Sequence, residues 1–199
     1  MAVLLAKITW RKAGEENQSM PSHSTVPVLT TERLILRGHR TDDFEDSAAL
    51  WGDLDVVRHI SGRPSSAEES WSRLLRHVGH WQLMGFGYWV ATDRQSGAFV
   101  GEVGMVDYKR DMTPGLAGRP EAGWVLRTSA HGRGLATEAV RAMLKWADTV
   151  LQAPTTVAIF NPEHSASIRV AEKVGFSALG TATYRDRPTL VMERARAVG

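Results

Sequence analysis

A strand, a glycine-rich turn and a long helix follow one another in this 199-residue chain, and this succession restricts its fold more than any other feature. The run Glu121–Arg127 predicts the strand, and apolar residues at helical spacing from Ala136 to Leu151 predict the helix. Between them lies the turn His131–Gly134, with two glycines. Glycine lets a backbone approach a ligand closely, and the free amides at the start of a helix attract anions. The sequence therefore predicts a turn suited to a phosphate or pyrophosphate.

Two familiar phosphate-binding loops do not fit this turn. A dinucleotide-binding fingerprint needs a third glycine, where Thr137 stands, and an acid about 20 residues later, where residues 152–157 have none. A Walker-type loop would end in Gly-Lys-Ser or Gly-Lys-Thr, which is also missing. The remaining pattern, Gln/Arg-x-x-Gly-x-Gly/Ala between a strand and a helix, resembles the acetyl-CoA pyrophosphate loop of the GNAT family of N-acetyltransferases. His131, Gly134 and Ala136 occupy its first, fourth and sixth positions.

The composition excludes several classes of protein. No apolar run approaches the ~18 residues of a membrane span, so no membrane association is expected. The chain has no cysteine, which rules out disulfides, cysteine-based metal sites and a cysteine acyl-enzyme, and which fits a cytoplasmic location. A net charge of +2 without a basic cluster gives no reason to expect a nucleic-acid partner.

The hydrophobic pattern predicts one domain over residues 28–195, after a polar, disordered extension over residues 1–27. Strands are predicted over residues 33–37, 86–93, 98–108, 121–127, 155–160, 176–183 and 189–193, and helices over residues 41–51, from Ser65 or Ser66 to about 84, 136–151 and 165–173. This order is that of the GNAT fold. The resemblance implies an α/β (α+β) domain with a twisted, mixed but mostly antiparallel sheet of about seven strands and flanking helices.

Two further segments extend the resemblance to residues 29–194. Leu29–Arg37 is similar to the opening strand of the RimJ/RimL-type branch, whose members acetylate protein N-termini. Ser165–Phe176 is similar to the Ser-x-x-Val-x-Glu-Lys-x-Gly-Phe segment of that branch.

The resemblance implies a binding site for acetyl-CoA between the two strands on either side of the long helix. Main-chain groups of the first strand would pair with the pantetheine arm, the amides of the turn would hold the pyrophosphate, and the short helix near residue 165 would complete the site. The expected binding residues are Trp124, Val125, Leu126, His131, Gly132, Arg133, Gly134, Leu135, Ala136, Thr137, Asn161, His164 and Ser167.

The catalytic groups are less clearly marked. Glu121, ten residues before His131, is the first candidate for the general base that deprotonates the acceptor amine. Glu102 on the preceding strand and a water relay are the alternatives.

The chain departs from the family at two positions near the proposed site. His164 replaces an asparagine that contacts the cofactor, and it could donate the same hydrogen bond or act as a base. Ala171 replaces a tyrosine that protonates the leaving thiolate, which leaves Ser167 or a water for that role, with Tyr184 a weaker candidate.

Histidines could also bind a metal, but the sequence does not favour such a site. His77 and His80 lie three apart on a predicted helix, with no carboxylate or cysteine at matching spacing. We interpret them as part of a polar helix face and predict no metal. Trp51, Trp81 and Trp89 are predicted to lie in the core rather than in an acceptor pocket.

The expected function is direct transfer of an acetyl group from acetyl-CoA to a primary amine in a ternary complex. The N-terminal amine of a protein or peptide is the first acceptor to consider, and a small-molecule amine, including an amino-sugar antibiotic, is the alternative. A non-catalytic acetyl-CoA-binding module is the alternative from another class. Assembly into a homodimer is left open.

Overall fold

The computed structural model describes residues 26–197. These residues form five α-helices and nine strands. They are β1 (Leu29–Thr30), β2 (Leu34–Arg37), α1 (Phe44–Gly52), α2 (Leu54–Val57), α3 (Ala67–Met84), β3 (Tyr88–Asp93), β4 (Phe99–Val106), β5 (Met112–Thr113), β6 (Glu121–Leu126), α4 (Leu135–Trp146), β7 (Thr155–Phe160), α5 (Ser165–Lys173), β8 (Ser177–Tyr184) and β9 (Arg187–Ala195).

The strands form a single mixed sheet in the order β1-β2-β3-β4-β6-β7-β9-β8-β5. Every neighbouring pair is antiparallel except β6 and β7. The predicted fold class, a mostly antiparallel sheet flanked by helices, is confirmed. The sheet has nine strands in the described chain rather than about seven, because β1 and β5 are only two residues long and leave no alternation in the sequence.

The two faces of the sheet carry different cores. Apolar residues of α4, such as Val140 and Met143, pack with Trp124 on one face. Leu50 and Trp51 of α1 pack with Val125 on the other face. Because successive residues of a strand point to opposite faces, α1 and α4 lie on opposite sides of β6.

Sequence signals at the helix ends agree with the structure in one case and fail in another. Ser66 caps α3 and exchanges hydrogen bonds with Glu69, as the capping-box spacing predicts. The long helix predicted to reach Leu151 is regular only to Trp146, and residues 147–151 widen into a π-helical turn closed by Gln152 N–H donating to the Ala147 carbonyl. A pattern of apolar residues does not distinguish these two windings over a single turn.

Most of the extension expected over residues 1–27 lies outside the described residues. Its last two residues do pack on the domain: Val26 contacts the main core, and the Pro27 carbonyl accepts a hydrogen bond from Trp89 Nε1 at 2.8 Å. The packed domain therefore includes residues 26 and 27 as well. Trp51, Trp81 and Trp89 are buried, as the core interpretation predicts. Within residues 26–197, no helix is both long enough and apolar enough to cross a membrane.

Candidate active site

A wedge opens between β6 and β7 in the middle of the sheet. The two parallel strands share one register pair, Glu121 with Val157, at the start of β6. β6 nevertheless stays paired with β4 along its whole length, to Leu126. Beyond the shared pair, the edge of β6 that faces β7 is therefore open to a ligand. The rings of Trp124 and Phe160, with centroids 5.6 Å apart, close one side of the wedge.

The predicted glycine turn lies at the open end of this wedge. Gly132 and Gly134 have φ angles of 72° and 76°, in the left-handed region that favours glycine, and both residues are exposed. Gly134 is the N-cap of α4, and the N–H of Glu138 is the donor to its carbonyl. The amides of the turn before Glu138 have no partner inside the helix, and they carry the positive end of its dipole. This cradle fits the pyrophosphate of a coenzyme.

Side chains from the start of the domain hold the turn in place. Arg33 donates from Nη1 to the Arg133 carbonyl at 2.9 Å and from Nε to the Glu138 carboxylate at 2.7 Å. Thr31 donates from Oγ1 to the same carboxylate at 2.6 Å. The segment that opens the domain thus positions the anion-binding turn, a role that the sequence motif did not reveal.

His131 joins the turn to the wedge. Its Nε2 lies 2.9 Å from the Leu126 carbonyl, which has only acceptor capacity, so the ring donates this hydrogen bond. The predicted binding edge of β6 therefore has the carbonyl of Leu126 already occupied. Trp124 keeps its main-chain groups on the open edge of β6, whereas the Val125 carbonyl faces Gly101 of β4.

The start of α5 brings together three of the predicted residues. His164 is the N-cap of α5, and its Nε2 lies 3.3 Å from Ser167 Oγ. Burial, together with His59, His131 and Arg58, lowers the pKa of His164 to about 4, so its ring is neutral at pH 7. In the tautomer with its proton on Nδ1, Nε2 accepts a hydrogen bond from the Ser167 hydroxyl, and in the other tautomer Nε2 donates to it. His164 can still offer its other ring nitrogen as a donor to a ligand, but it is a weak base. The side-chain oxygen of Asn161 accepts a hydrogen bond from the Glu163 N–H at 2.9 Å and shapes this turn.

His59 was not found by sequence reasoning. Its ring stacks on that of His164, with centroids 4.9 Å apart and an angle of 21° between planes. It comes from the chain between α2 and α3, where a lone histidine gives no motif. Ala171, at the family's tyrosine position, is fully buried in the core.

Glu121 is held by an arginine. It is 6% exposed, and its two carboxylate oxygens accept hydrogen bonds from Arg110 at 2.5 and 2.7 Å. Arg110 also donates to the Tyr184 hydroxyl at 2.8 Å. Burial opposes the charge of Arg110, but the hydrogen bonds to Glu121 outweigh it and raise the arginine pKa above its usual range. Glu121, Arg110 and Tyr108 line a cavity of about 280 Å³, which the loop 115–119 also borders.

Glu102 lies on the same face of the sheet as Glu121, but it is fully buried. One oxygen accepts from Ser47 Oγ at 2.7 Å and the other from Trp51 Nε1 at 2.9 Å. His39 Nε2 lies 3.5 Å from this carboxylate and His77 Nδ1 lies 3.9 Å from it. Burial works to raise the pKa of Glu102, but hydrogen bonding from His39 and Ser47 outweighs it and holds the pKa at about 2.

The interpretation of His77 and His80 as a polar helix face is wrong, because both are buried. His80 accepts from the Asp107 N–H at 3.0 Å and lies 2.5 Å from the Phe86 carbonyl, so both of its nitrogens are used. Ligand atoms of His39, His77 and Glu102 all lie within 4.8 Å of one another. These three residues come from separate elements, so no spacing in the sequence could have indicated the group. The expectation that no metal binds remains a prediction.

Comparison with known proteins gives an assignment for this architecture. The family model described as "Acetyltransferase (GNAT) domain" matches residues 33–177. The uncharacterized protein YkkB of Bacillus subtilis (strain 168) is 30% identical over 175 residues, which cover 83% of this chain and 94% of YkkB. A structure described as a GNAT-family acetyltransferase from Bordetella pertussis is 30% identical, with a TM-score of 0.75 over 85% of this chain and 99% of that one.

More distant structures share the fold. Spermidine N-acetyltransferase from Vibrio cholerae, in complex with CoA and spermine, has a TM-score of 0.67 at 16% identity, covering 83% of this chain and 97% of that one. RimL, the ribosomal L7/L12 α-N-protein acetyltransferase in complex with coenzyme A, has a TM-score of 0.70 at 13% identity, covering 85% and 98%. The acceptors of these two proteins differ, so the shared fold alone does not identify an acceptor.

Proposed function

Because the chain belongs to the GNAT acetyltransferase family and is an acetyl-CoA-dependent N-acetyltransferase, we propose an N-terminal amine of a protein or peptide as its acceptor. The similarity of residues 29–37 and 165–176 to the RimJ/RimL-type branch supports this choice. The small-molecule amine remains the alternative to be tested. The cytoplasmic location and the homodimer also remain predictions.

The open edge of β6 beside the glycine turn is the observation that carries the binding proposal. Acetyl-CoA bound there supplies the acetyl group, which the neutral amine takes by direct attack while the CoA thiolate leaves. The turn amides and the Arg133 side chain offer positive charge to the pyrophosphate. The edge of β6 offers main-chain hydrogen bonds to the pantetheine arm, as an added strand would.

We propose Glu121 as the group that accepts the proton of the acceptor amine, directly or through one water. It lies at the start of the wedge and borders a cavity, whereas Glu102 is fully buried and borders no such cavity among the described residues. Arg110 orients the carboxylate of Glu121 through two hydrogen bonds. Glu121 can take up a proton only if its bonds to Arg110 loosen as the acceptor enters.

The leaving thiolate needs a proton from elsewhere. Ser167 is the proposed donor, with His164 next to it, and a water is the alternative. The Tyr184 hydroxyl accepts from Arg110, which ties it to the Glu121 side of the site. We therefore do not assign this role to Tyr184.

A thiol-release assay with acetyl-CoA tests the proposal. N-terminal peptides, spermidine and an amino-sugar antibiotic are offered in parallel at neutral pH. Turnover with peptides above the small amines supports the proposed acceptor, and turnover with the small amines alone contradicts it. Acetyl-CoA binding by calorimetry without any turnover would instead favour the non-catalytic binding module.

A further inference from the structure

An arginine of α3 lies against Tyr108, which lines the cavity next to Glu121. The Cζ atom of Arg76 lies 4.7 Å from the centroid of the Tyr108 ring, and that of Arg110 lies 5.4 Å from it. Tyr108, Arg110 and Glu121 line one cavity. Arg73, one turn before His77 on α3, is close enough to Arg76 and Tyr108 to interact with both electrostatically. Tyr108 is thus flanked by the guanidinium groups of Arg76 and Arg110, with that of Arg73 further along α3.

Two buried polar atoms in this group lack a well-formed hydrogen bond. Arg73 stacks on Trp51, with Cζ 3.8 Å from the ring centroid, and its Nη2 donates to Ser65 Oγ at 3.2 Å. Its Nη1 is buried without a partner in the described part of the chain. The buried Tyr108 hydroxyl has Arg76 beside it, but the geometry falls short of a proper bond. Buried polar groups normally have partners, so these two atoms point to a ligand.

Within the described residues, no acid lies at ion-pair distance from Arg73 or Arg76, although Glu102 and Glu69 attract Arg73 from further away. Glu121 is paired with Arg110, and both oxygens of Glu102 are bonded to Ser47 and Trp51. Glu69 pairs with Arg63, and Asp107 pairs with Lys109. Burial lowers the pKa of Arg73, so its charge would gain from an anion at close range. A guanidinium and a phenol together match the geometry of a carboxylate.

Resting on the proposed acetyl transfer, we propose that Arg73, Arg76 and Tyr108 form a subsite that binds a carboxylate of the acceptor. The acceptor is then a primary amine that carries a carboxylate close to its nitrogen. Either a free amino acid or a peptide that begins with an acidic residue supplies this chemistry. Polyamines and amino sugars, which carry only positive charge, are disfavoured by the same arginines.

Acceptors that differ only in one carboxylate test the subsite. The peptide pair is Glu-Ala-Ala-amide against Gln-Ala-Ala-amide, and the free pair is alanine against alaninamide, with spermidine as the polycation. We expect kcat/KM to be at least tenfold higher for the carboxylate member of one pair. The pair that shows this preference identifies the source of the carboxylate, a peptide or a free amino acid. Equal rates within both pairs, or a preference for spermidine, would overturn the proposal.

Variants then assign the preference to the arginines. Arg76→Gln, on an exposed side chain, should reduce the preference to below threefold through KM while acetyl-CoA binding is unchanged. Arg73→Gln should do the same if it folds. Arg141→Gln on α4, which removes the same charge from the opposite side of the sheet, should keep the preference. A preference that persists in Arg76→Gln and in a folded Arg73→Gln contradicts the subsite.

Failure of the proposed function has a different signature. If acetyl-CoA binds but no acceptor is turned over, the acetyl transfer fails, and the subsite is judged by calorimetry on the CoA-loaded protein. N-acetyl-Glu-Ala-Ala-amide should then bind at least tenfold more tightly than N-acetyl-Gln-Ala-Ala-amide. Equal binding of the two products would overturn the subsite as well.

Discussion

The two sides of the wedge are built by different means. On the cofactor side, between β6 and α4, main-chain groups of a glycine turn and of an open strand edge face the ligand. On the acceptor side, between β4 and α3, charged and aromatic side chains from several elements form paired networks around Glu121 and Glu102. On the proposed assignment, the first side would recognise a shape common to every CoA ester, whereas the second would distinguish one amine from others.

Substitutions on the two sides should therefore impair different steps, acetyl-CoA binding on one side and turnover on the other. A change on the cofactor side should weaken acetyl-CoA binding and leave the chemical step nearly intact. A change on the acceptor side should alter turnover, specificity or acid stability and leave acetyl-CoA affinity unchanged. Variants that violate this division would show that the two sides are coupled.

The largest effect is expected at Glu121. Glu121→Gln keeps a hydrogen-bond acceptor for Arg110 but removes the base, and a general base typically contributes ~10²–10⁴-fold in rate. We expect kcat to fall by about a hundredfold at neutral pH, with acetyl-CoA affinity unchanged in calorimetry. The loss should shrink as pH rises, because more of the acceptor amine then arrives neutral.

Glu102→Gln is the matched control on the neighbouring strand. It should lower kcat less than tenfold, about 1.4 kcal/mol, because the carboxylate is sealed among Ser47, Trp51 and the histidines. If Glu102→Gln lowers kcat a hundredfold and Glu121→Gln keeps it near that of the wild type, the two roles are reversed. If both remain active, the base is His164 or a water.

The strand, turn and helix of the proposed cofactor side were predictable from the sequence because their signals are local. The strand, the glycine turn and α4 are contiguous in the chain, and the Ser66 capping box reports the start of α3 within four residues. The short elements β1, β5 and α2 were missed because two to four residues hold no measurable period.

The acceptor side was largely hidden for a physical reason. His39, His77 and Glu102 meet only after β4 packs beneath α1 and α3, and a histidine on a helix is indistinguishable in the sequence whether it faces solvent or a buried carboxylate. Arg110 lies in a loop eleven residues before Glu121 and pairs with it through the fold of that loop. Contacts between distant segments leave no period or motif, so they appear only in the structure.

The next largest effect should come from the glycine turn. Gly134→Val forces a β-branched residue to a φ of 76° and places it where the pyrophosphate is expected. We expect acetyl-CoA affinity to fall at least tenfold, about 1.4 kcal/mol, in calorimetry. Gly97→Val is the matched control, since Gly97 has a φ of 74° in a turn with nothing within 4 Å of an added Cβ. It should lose similar stability and keep acetyl-CoA affinity, and equal losses of affinity would contradict the assignment.

Acid should destabilise the acceptor side through its buried histidine. Burial lowers the pKa of His77 from 6.5 to about 3, so the unfolded chain gains a proton below pH 6.5 while the folded protein does not. Stability is therefore lost as pH falls from 6.5 towards 3, by at most about 1.4 kcal/mol per pH unit. Glu102, with its pKa lowered to about 2 from 4.5, adds a further loss below pH 4.5.

Urea unfolding at pH 7, 6 and 5 measures this slope. His77→Gln should flatten it, and His164→Gln should flatten it by a similar amount, because the pKa of His164 is also lowered, to about 4. The overall stability of His77→Gln is expected to fall as well, since the ring stacks on Tyr88 with centroids 4.5 Å apart. An unchanged slope in His77→Gln would mean that the pKa of its ring is the same in the folded and the unfolded protein.

The smallest effect is expected at Arg33, which supports the cofactor turn from outside. Arg33→Gln removes the bonds to the Arg133 carbonyl and to Glu138, but the side chain is 45% exposed and exposed ion pairs contribute only ~0.2–1 kcal/mol. We expect the Kd for acetyl-CoA to rise about threefold and kcat to stay constant. High salt should weaken acetyl-CoA binding less in the variant than in the wild type, because the ion pair that salt would screen is already lost.

Arg94→Gln is the matched control, since it removes an exposed arginine that is bonded to the Thr31 carbonyl but not to the turn. It should bind acetyl-CoA normally. A change in kcat with Arg33→Gln would show that the position of the turn reaches the chemical step, and the two sides of the wedge would then act as one unit.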